Sequence, residues 1–313
     1  MGNSWLVATV LLCAMSLPAQ ADLIEDVRTQ LSRNAISSAE AELSSYKSRQ
    51  GVTPEYLEAL SWMARGAATS QQWDKAAFYA TETRTLGEQQ LAKGRLDAEP
   101  HLPIALGAAY EVLAQSMAEK GQGPAAVRLL RGALARYGTT SIGPRLQKNL
   151  NLLSLVGHPA PALETTQYLA PKPPALASLR GKPVLLFFWA HWCADCKAEV
   201  PVIARLRQEF APQGLALIGP TQLYGYAAYG NDATAAQEYD YIELVRQRYY
   251  STLLDMPVPL SKQNFKVYGA STTPTLVVLN RAGLVTMYHP GAMSYEDLRE
   301  ALLKASASGK PGQ

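Results

Sequence analysis

A pair of cysteines, Cys193 and Cys196, constrains this chain more than any other feature. They lie in Trp192-Cys193-Ala194-Asp195-Cys196, a few residues after an apolar run from Val184 to Trp189. The third cysteine, Cys13, falls in an N-terminal segment that reads as an export signal and would be removed with it. An exported chain that keeps one C-x-x-C pair and no other thiol indicates redox chemistry rather than a framework of structural disulfides.

The N-terminal segment has the features of an export signal. An apolar run from Trp5 to Leu17 is followed by Pro18 and by Ala19-Gln20-Ala21, a small-x-small cleavage pattern. We expect residues 1–21 to be cleaved after Ala21, leaving a periplasmic or secreted protein. No Lys or Arg precedes the apolar run, so an uncleaved membrane anchor is the alternative.

Composition excludes other classes of function. No later stretch approaches the ~20 consecutive apolar residues that a transmembrane helix needs. The net charge of +3 is small and the basic residues are scattered, so we expect no nucleic-acid partner.

Residues 22–155 are rich in Ala, Leu, Glu, Gln and Arg, with apolar residues at helical spacing. This pattern predicts an all-helical domain. Two stretches within it, Leu60 to Thr83 and Tyr110 to Ala133, place small residues at equivalent positions: Ala64, Ala76, Ala114 and Ala126. The domain is therefore predicted to contain either tetratricopeptide-like helical hairpins, with long insertions, or a plain helical bundle.

The stretch from Gly157 to Pro183 is rich in proline, which indicates extended, non-helical chain, so we place the domain boundary near Leu155. Residues 156–306 are predicted to form an α/β domain around a mixed sheet, and residues 307–313 a disordered tail. The predicted strands are Val184 to Trp189, Leu215 to Pro220, Thr275 to Asn280 and Leu284 to His289. The predicted helices are Ala194 to Phe210, Tyr241 to Leu254, Lys262 to Tyr268 and Tyr295 to Ala305.

The C-x-x-C pair would stand where a strand leads into a helix. A sulfur at the first position faces unpaired backbone amides at the positive end of the helix, which lowers the thiol pKa. Cys196, one turn further on, could resolve a mixed disulfide that Cys193 forms. A structural zinc site needs four ligands, and the four histidines are scattered along the chain. We therefore expect neither a metal nor another cofactor.

Two longer motifs resemble a known family. Phe187 to Pro201, with Gly181-Lys182-Pro183 before it, and Thr272-Thr273-Pro274-Thr275, with Tyr268-Gly269 before it, are similar to the TlpA/ResA-like branch of the thioredoxin superfamily. The resemblance covers about Gly157 to Ala305. It implies a thioredoxin fold, with helices flanking a mixed central sheet, and thiol-disulfide oxidoreductase activity outside the cytoplasm, usually in the reducing direction.

The resemblance also implies roles for individual residues. Cys193 and Cys196 would form the redox-active disulfide, and Trp192, Thr273 and Pro274 would contact the substrate. Pro274 matches a cis-proline that faces the disulfide, leaving the Thr273 backbone free to pair with an extended substrate segment. Among the other matches, Trp189 would flank the active site with Trp192, and Pro201 would kink the active-site helix.

Glu199 matches the glutamate that the TlpA/ResA-like branch carries three residues after the second cysteine. The acid that other thioredoxins carry on the strand before the active site is replaced here by Phe187. We predict that Glu199 exchanges protons with Cys196; a solvated helix carboxylate is the alternative. Asp195 puts negative charge beside the thiolate, which raises the thiol pKa and favours a reducing couple, while Lys197 opposes it in part.

Two further features lie near the motif. His191 is interpreted as a solvated loop residue rather than a catalyst. The segment from Gln222 to Asp240 carries four tyrosines, at 224, 226, 229 and 239, where most relatives have less material. It is predicted to be either a variable surface loop or a tyrosine-lined surface for a partner.

The sequence thus predicts an exported protein-disulfide reductase, in which the helical domain binds a client or a second copy of the chain. The expected partners are a disulfide-bonded client, such as an apocytochrome or an envelope protein, and an upstream membrane electron donor. The alternatives are a disulfide oxidase or isomerase, and a non-catalytic binding or scaffold protein. A peroxiredoxin is less favoured, because no Pro-x-x-x-Thr/Ser-x-x-Cys pattern leads to Cys193.

Overall fold

The computed structural model describes residues 22–92, 94–169 and 171–308. The predicted export signal, with Cys13 and the cleavage position after Ala21, lies outside the described residues. So do residues 309–313 of the predicted tail. The last helix runs to Ala307, so the tail could begin no earlier than Ser308. Among the described residues, no helix combines the length and apolar character needed to cross a bilayer.

The first part of the described chain is helical throughout, as its composition predicts. Its helices are α1 (Leu23–Ser32), α2 (Ile36–Gln50), α3 (Pro54–Thr69), α4 (Trp73–Leu91), α5 (His101–Glu119), α6 (Gly123–Tyr137) and α7 (Gly143–Ser154). Local chemistry sets their ends. The Thr53 side chain accepts a hydrogen bond from the Tyr56 N–H at the start of α3, where Pro54 occupies the first turn. Gly51, with a φ of 76°, follows α2.

The four small residues predicted to lie at helix crossings are buried. Ala64, Ala76 and Ala126 are inaccessible to solvent, and Ala114 is 1 % exposed. The predicted units fall on the pairs α3–α4 and α5–α6. Their identity as tetratricopeptide-like repeats stays a prediction.

The second part of the chain folds around a four-stranded sheet. This part of the chain contains six strands, four in that sheet and two in a separate pair: β1 (Tyr168–Leu169), β2 (Val184–Phe188), β3 (Ala216–Ile218), β4 (Val258–Pro259), β5 (Thr275–Leu279) and β6 (Val285–Pro290). Its helices are α8 (Ala194–Glu209), α9 (Ala235–Tyr249), α10 (Lys262–Tyr268) and α11 (Tyr295–Ala307). The sheet order is β3-β2-β5-β6, while β1 and β4 pair separately. Strand β2 is parallel to β3 and antiparallel to β5, which is antiparallel to β6. This mixed sheet confirms the predicted thioredoxin fold.

Helices cover both faces of the sheet, which explains why every residue of β2 is buried. Leu185 and Phe187 point to one face, where they join a core that includes α8, α9 and α11. Leu186 and Phe188 point to the other face, where they pack with Phe265 of α10. Alternate strand residues face opposite sides, so an uninterrupted apolar run is what a central strand covered on both sides requires.

One predicted helix is placed wrongly at both ends. The expected helix from Tyr241 to Leu254 is observed at Ala235–Tyr249, followed by a short 3₁₀ turn at Ser251–Leu253. Thr234 and Gln237 form a capping box that begins the helix six residues earlier than predicted. Apolar periodicity alone does not indicate this start, because the first three residues of α9, Ala235 to Gln237, are exposed.

Helix α7 packs against α10, so the helical region is seated directly on the sheet domain. The Asn151 side chain donates a hydrogen bond to the Val267 carbonyl, 3.3 Å away. The approach is close at Gly269, where a Cβ atom would lie 2.3 Å from the Lys148 backbone nitrogen. Leu155 belongs to a core of the sheet domain. A domain boundary at this residue stays a prediction.

Candidate active site

Cys193 is the N-cap residue of α8 and ends the short loop that follows β2. Its backbone is extended, with φ −70° and ψ 112°, and its Sγ accepts a hydrogen bond of 3.0 Å from the Cys196 N–H. The two cysteines form a disulfide. Cys193 is 3 % exposed and Cys196 is fully buried. The sulfur of Cys193 therefore meets the positive end of a helix, an environment that favours a thiolate once the bond is reduced.

The two tryptophans beside the disulfide differ in exposure. Trp189 is fully buried, and its Nε1 donates to the Gly219 carbonyl at 2.9 Å. Trp192 is 49 % exposed and meets the ring of Tyr224 edge to face, with 5.6 Å between centroids. Trp189 thus belongs to the core below the site, while Trp192 offers an apolar surface next to Cys193.

The loop before β5 contains a cis peptide bond between Thr273 and Pro274. The Pro274 carbonyl accepts a hydrogen bond from the Gly291 N–H at 2.8 Å, which ties the loop to the end of β6. Among the described residues, nothing pairs with the N–H or carbonyl of Thr273. Thr273 and Trp192 line the same cleft. The structure therefore brings these two predicted substrate-contacting residues to one cleft, which Trp192 joins to the neighbouring Cys193.

Glu199 is buried on α8, one turn after Cys196. It is 4 % exposed, and its Oε1 accepts a hydrogen bond from the Met293 N–H at 3.2 Å. Burial raises the pKa of the Glu199 carboxyl, and the nearby charge of Asp195 raises it further, although the hydrogen bond from Met293 opposes both effects. A solvated carboxylate, the alternative interpretation of Glu199, does not fit this burial.

The interpretation of His191 as a solvated residue is wrong. His191 is 1 % exposed, and its Nε2 lies 3.2 Å from Glu238 Oε1. Its ring meets the rings of Tyr224, Tyr226 and Tyr241 edge to face, at 5.4 to 5.6 Å between centroids. Burial lowers the pKa of the imidazole, although the hydrogen bond to Glu238 opposes this. The His191 imidazole, enclosed by three aromatic rings and a carboxylate, therefore packs in the core under the active-site disulfide loop to which it belongs.

Glu238 is the residue of this site that the sequence did not reveal. Its carboxylate accepts hydrogen bonds from the N–H groups of Tyr224 and Gly225, at 2.6 and 2.7 Å, besides facing His191. It is fully buried. Glu238 therefore ties the tyrosine-rich segment to the active-site loop, across a separation of 47 positions from His191. No spacing motif indicated this contact.

The tyrosine-rich segment from Gln222 to Asp240 is neither wholly packed nor wholly free. Tyr224 and Tyr226 lie against His191, whereas Tyr229 is completely exposed. The Tyr239 hydroxyl donates to the Tyr168 carbonyl at 3.3 Å. The start of the segment thus belongs to the floor of the site, and Tyr229 faces solvent.

Comparison with known proteins finds similarity over the part of the chain that holds this site. Residues 156–222 match the AhpC/TSA family. The chain is 26 % identical over 129 residues to thioredoxin-like protein YneN of Bacillus subtilis, spanning 41 % of this chain and 68 % of YneN. It is 28 % identical over 151 residues to the thiol-disulfide oxidoreductase ResA of Bacillus thuringiensis, spanning 48 % of this chain and 78 % of ResA.

Among solved structures, StoA from Bacillus subtilis aligns with a TM-score of 0.36 and 22 % identity, covering 45 % of this chain and 97 % of StoA. The motifs from Phe187 to Pro201 and from Thr272 to Thr275, the mixed sheet and the Cys193–Cys196 disulfide agree with the similarity to ResA. This chain therefore contains a thioredoxin-like domain related to ResA, and it is a thiol-disulfide oxidoreductase.

Proposed function

We propose that the chain is an exported protein-disulfide reductase that passes two electrons from Cys193 and Cys196 to a client disulfide. The observation that carries the proposal is the position of the disulfide. Cys193 caps α8 directly after the exposed Trp192, which lines one cleft with Thr273, whereas Cys196 is fully buried. The backbone of Thr273 has no hydrogen-bond partner among the described residues. One sulfur is thus placed to meet a client and the other to act only on the first.

The reaction would proceed in two exchanges. The Cys193 thiolate attacks one sulfur of the client disulfide, forms a mixed disulfide and releases the other client sulfur as a thiolate. Cys196 then loses its proton and attacks Cys193 Sγ, which releases the second client thiolate and forms the Cys193–Cys196 disulfide. Two electrons pass to the client, whose thiolates take up two protons. Glu199, buried one turn from Cys196, would accept the Cys196 proton.

Negative charge near the sulfurs supports the reducing direction. Asp195 lies between the cysteines, and the Glu199 carboxyl lies one turn beyond them. The Lys197 ammonium, which would offset these charges, lies over the Tyr249 ring, 4.8 Å from its centroid. Carboxylates beside a thiolate destabilise the reduced, ionised form and so favour the disulfide, which makes the couple a better reductant.

The sequence and the relatives support the proposed location and partners. The N-terminal segment with the features of an export signal supports a periplasmic or secreted protein, or one held by an uncleaved anchor. Relatives named thiol-disulfide oxidoreductases and a thiol:disulfide interchange protein support disulfide-bonded proteins as clients. We propose an apocytochrome or an envelope protein as client and a membrane protein as electron donor, since an exported reductant needs a source of electrons.

The test is single-turnover reduction of insulin by the pre-reduced mature protein, with Cys193→Ser and Cys196→Ser as matched variants. We expect the wild type to reduce insulin, the Cys193→Ser variant to be inactive, and the Cys196→Ser variant to accumulate a mixed disulfide. If the disulfide form of the mature protein oxidises a reduced, unfolded substrate protein in preference to insulin reduction by the dithiol form, the oxidase or isomerase would instead be supported. Inactivity in both assays would support a non-catalytic binding protein.

A further inference from the structure

The cleft beside the disulfide has walls from both parts of the chain. Its volume is about 460 Å³, within the range of roughly 300–1,000 Å³ typical of pockets that hold ligands. Trp192, which precedes Cys193 in the chain, and Thr273 line it from the sheet domain, and Thr139, Thr140 and Ser141, in the loop between α6 and α7, line it from the helical region. The helical region therefore forms part of the surface that a bound client would meet.

The wall from the helical region is fixed in place by side-chain hydrogen bonds. Ser141 Oγ donates to Asp97 at 2.5 Å, and the Ser141 N–H lies 3.3 Å from both carboxylate oxygens. Thr140 Oγ1 donates to the Tyr137 carbonyl at 2.7 Å. Helix α7, which follows the loop, is seated on α10 through Asn151. The lining residues from the helical region are therefore held in place against the sheet domain.

The charge of the cleft is positive. Lys262 and Lys266, one turn apart on α10, both line it and are exposed. None of the described residues that line the cleft is acidic, and neither lysine forms an ion pair with another described residue. Glu164 borders a neighbouring cleft that Lys262 also lines, where its carboxylate accepts a hydrogen bond from Ser261. Lys266 lines this cleft and a second one, and no acidic side chain is among the described residues that line either of them.

We infer that this cleft binds the client segment next to the cysteine that Cys193 attacks, and that it selects an extended segment carrying carboxylates. The inference rests on the proposed function, because the client must first be a disulfide-bonded protein. The segment would pair with the free backbone of Thr273, lie on the exposed face of Trp192 and bring its carboxylates to Lys262 and Lys266. The loop between α6 and α7 would close the far side and make the helical region part of substrate selection.

The test compares two peptides that differ only in the residues beside a disulfide-bonded cysteine, three Glu in one and three Lys in the other. The reduced mature protein, containing both the helical region and the sheet domain, is mixed with each peptide at low ionic strength. Every rate is divided by the rate at which the same variant reduces bis(2-hydroxyethyl) disulfide, which is too small to span the cleft. We expect wild type to prefer the acidic peptide, with the preference shrinking as salt is added.

Reversal of both lysine charges, Lys262→Glu with Lys266→Glu, should lower the relative rate for the acidic peptide roughly tenfold and raise it for the basic peptide. The matched control, Lys75→Glu with Lys172→Glu, makes the same change in net charge at exposed positions outside the cleft, where neither lysine forms an ion pair with another described residue. If the cleft pair shifts the peptide preference no more than the control pair does, carboxylate selection by this cleft is wrong.

A second variant tests the wall from the helical region. Thr139 is exposed and lines the cleft, so Thr139→Tyr should narrow it and slow both peptides severalfold relative to the small disulfide. Unchanged peptide rates would show that the client does not pass between the two walls, which would overturn the inference. If wild type reduces none of the three substrates, the proposed function itself fails, and that outcome is distinct from a loss of peptide preference.

Discussion

Gly269 offers a test of whether α7 rests on α10 as described. It follows α10 with a φ of +60°, and a Cβ at this position would lie 2.3 Å from Lys148 N and 2.6 Å from Lys148 Cα. Ordinary van der Waals contact begins at about 3.4 Å. Gly269→Ala therefore forces backbone atoms of α7 to move by about 1 Å, in addition to placing a side chain in the left-handed region.

The two costs can be separated with a control. A left-handed conformation costs a non-glycine residue about 1–2 kcal/mol, and overpacking a close contact costs about 1–3 kcal/mol more. Gly283 has a φ of +77° and open space where a Cβ would stand. Gly283→Ala should therefore lower the free energy of unfolding by about 1–2 kcal/mol. Gly269→Ala should lower it by about 2–5 kcal/mol.

Urea unfolding of the two variants and the wild type, followed by circular dichroism and tryptophan fluorescence, measures these differences. We expect the probes to separate in Gly269→Ala, because the helical region can leave α10 before the sheet domain unfolds. Equal losses of stability in Gly269→Ala and Gly283→Ala would refute the close approach of α7 to α10. The fixed wall proposed for the client cleft would then be lost as well.

Three further outcomes are expected. Because its folded pKa is raised, Glu199 stabilises the fold fully below its ordinary pKa of about 4.5 and loses that contribution as the pH rises through the folded value. In urea unfolding, the free energy of unfolding of Glu199→Gln should thus rise relative to that of wild type between pH 3.5 and pH 7. If insulin reduction has the same pH profile in this variant as in wild type, Glu199 is not the proton acceptor. Because its folded pKa is lowered, His191 stabilises the fold above about pH 6.5 and loses that contribution as the pH falls. The thermal unfolding midpoint of wild type should therefore drop more between pH 7.5 and pH 5 than that of His191→Gln. Equal drops in the two proteins would contradict a lowered pKa for His191. Glu238→Ala removes a fully buried carboxylate that accepts hydrogen bonds from the N–H groups of Tyr224 and Gly225, so it should lower the free energy of unfolding by at least about 2 kcal/mol. Tyr229→Ser, at a fully exposed position, should lower it by less than about 0.5 kcal/mol; equal losses in chemical denaturation would show that Glu238 does not anchor the segment.

The sheet domain was largely predictable because its signals are local. An apolar run predicts a buried central strand, and β2 occupies Val184–Phe188 of the predicted Val184 to Trp189. Helix α10 has the predicted ends, because Ser261 caps its start and Gly269 its end. The resemblance added the cis bond before Pro274, which local sequence could not indicate.

The contacts that the sequence could not indicate join distant positions. The burial of His191 depends on Glu238 and on aromatic rings contributed by the segment after β3 and by α9. Histidine is intermediate among residue types in its tendency to be buried, so the residue type does not predict its exposure, and only the folded arrangement places His191 inside. The cleft shared with the helical region likewise depends on how α7 packs against α10, which no motif encodes.

The reduction potential of the Cys193–Cys196 pair tests the proposed reductase most directly. The mature protein would be equilibrated against glutathione or dithiothreitol and followed by fluorescence of Trp189 and Trp192, which stand beside the disulfide. The reductase predicts a value near or below that of thioredoxin, about −270 mV. A value near about −120 mV, that of a strong disulfide oxidant, would contradict the proposed direction of electron flow.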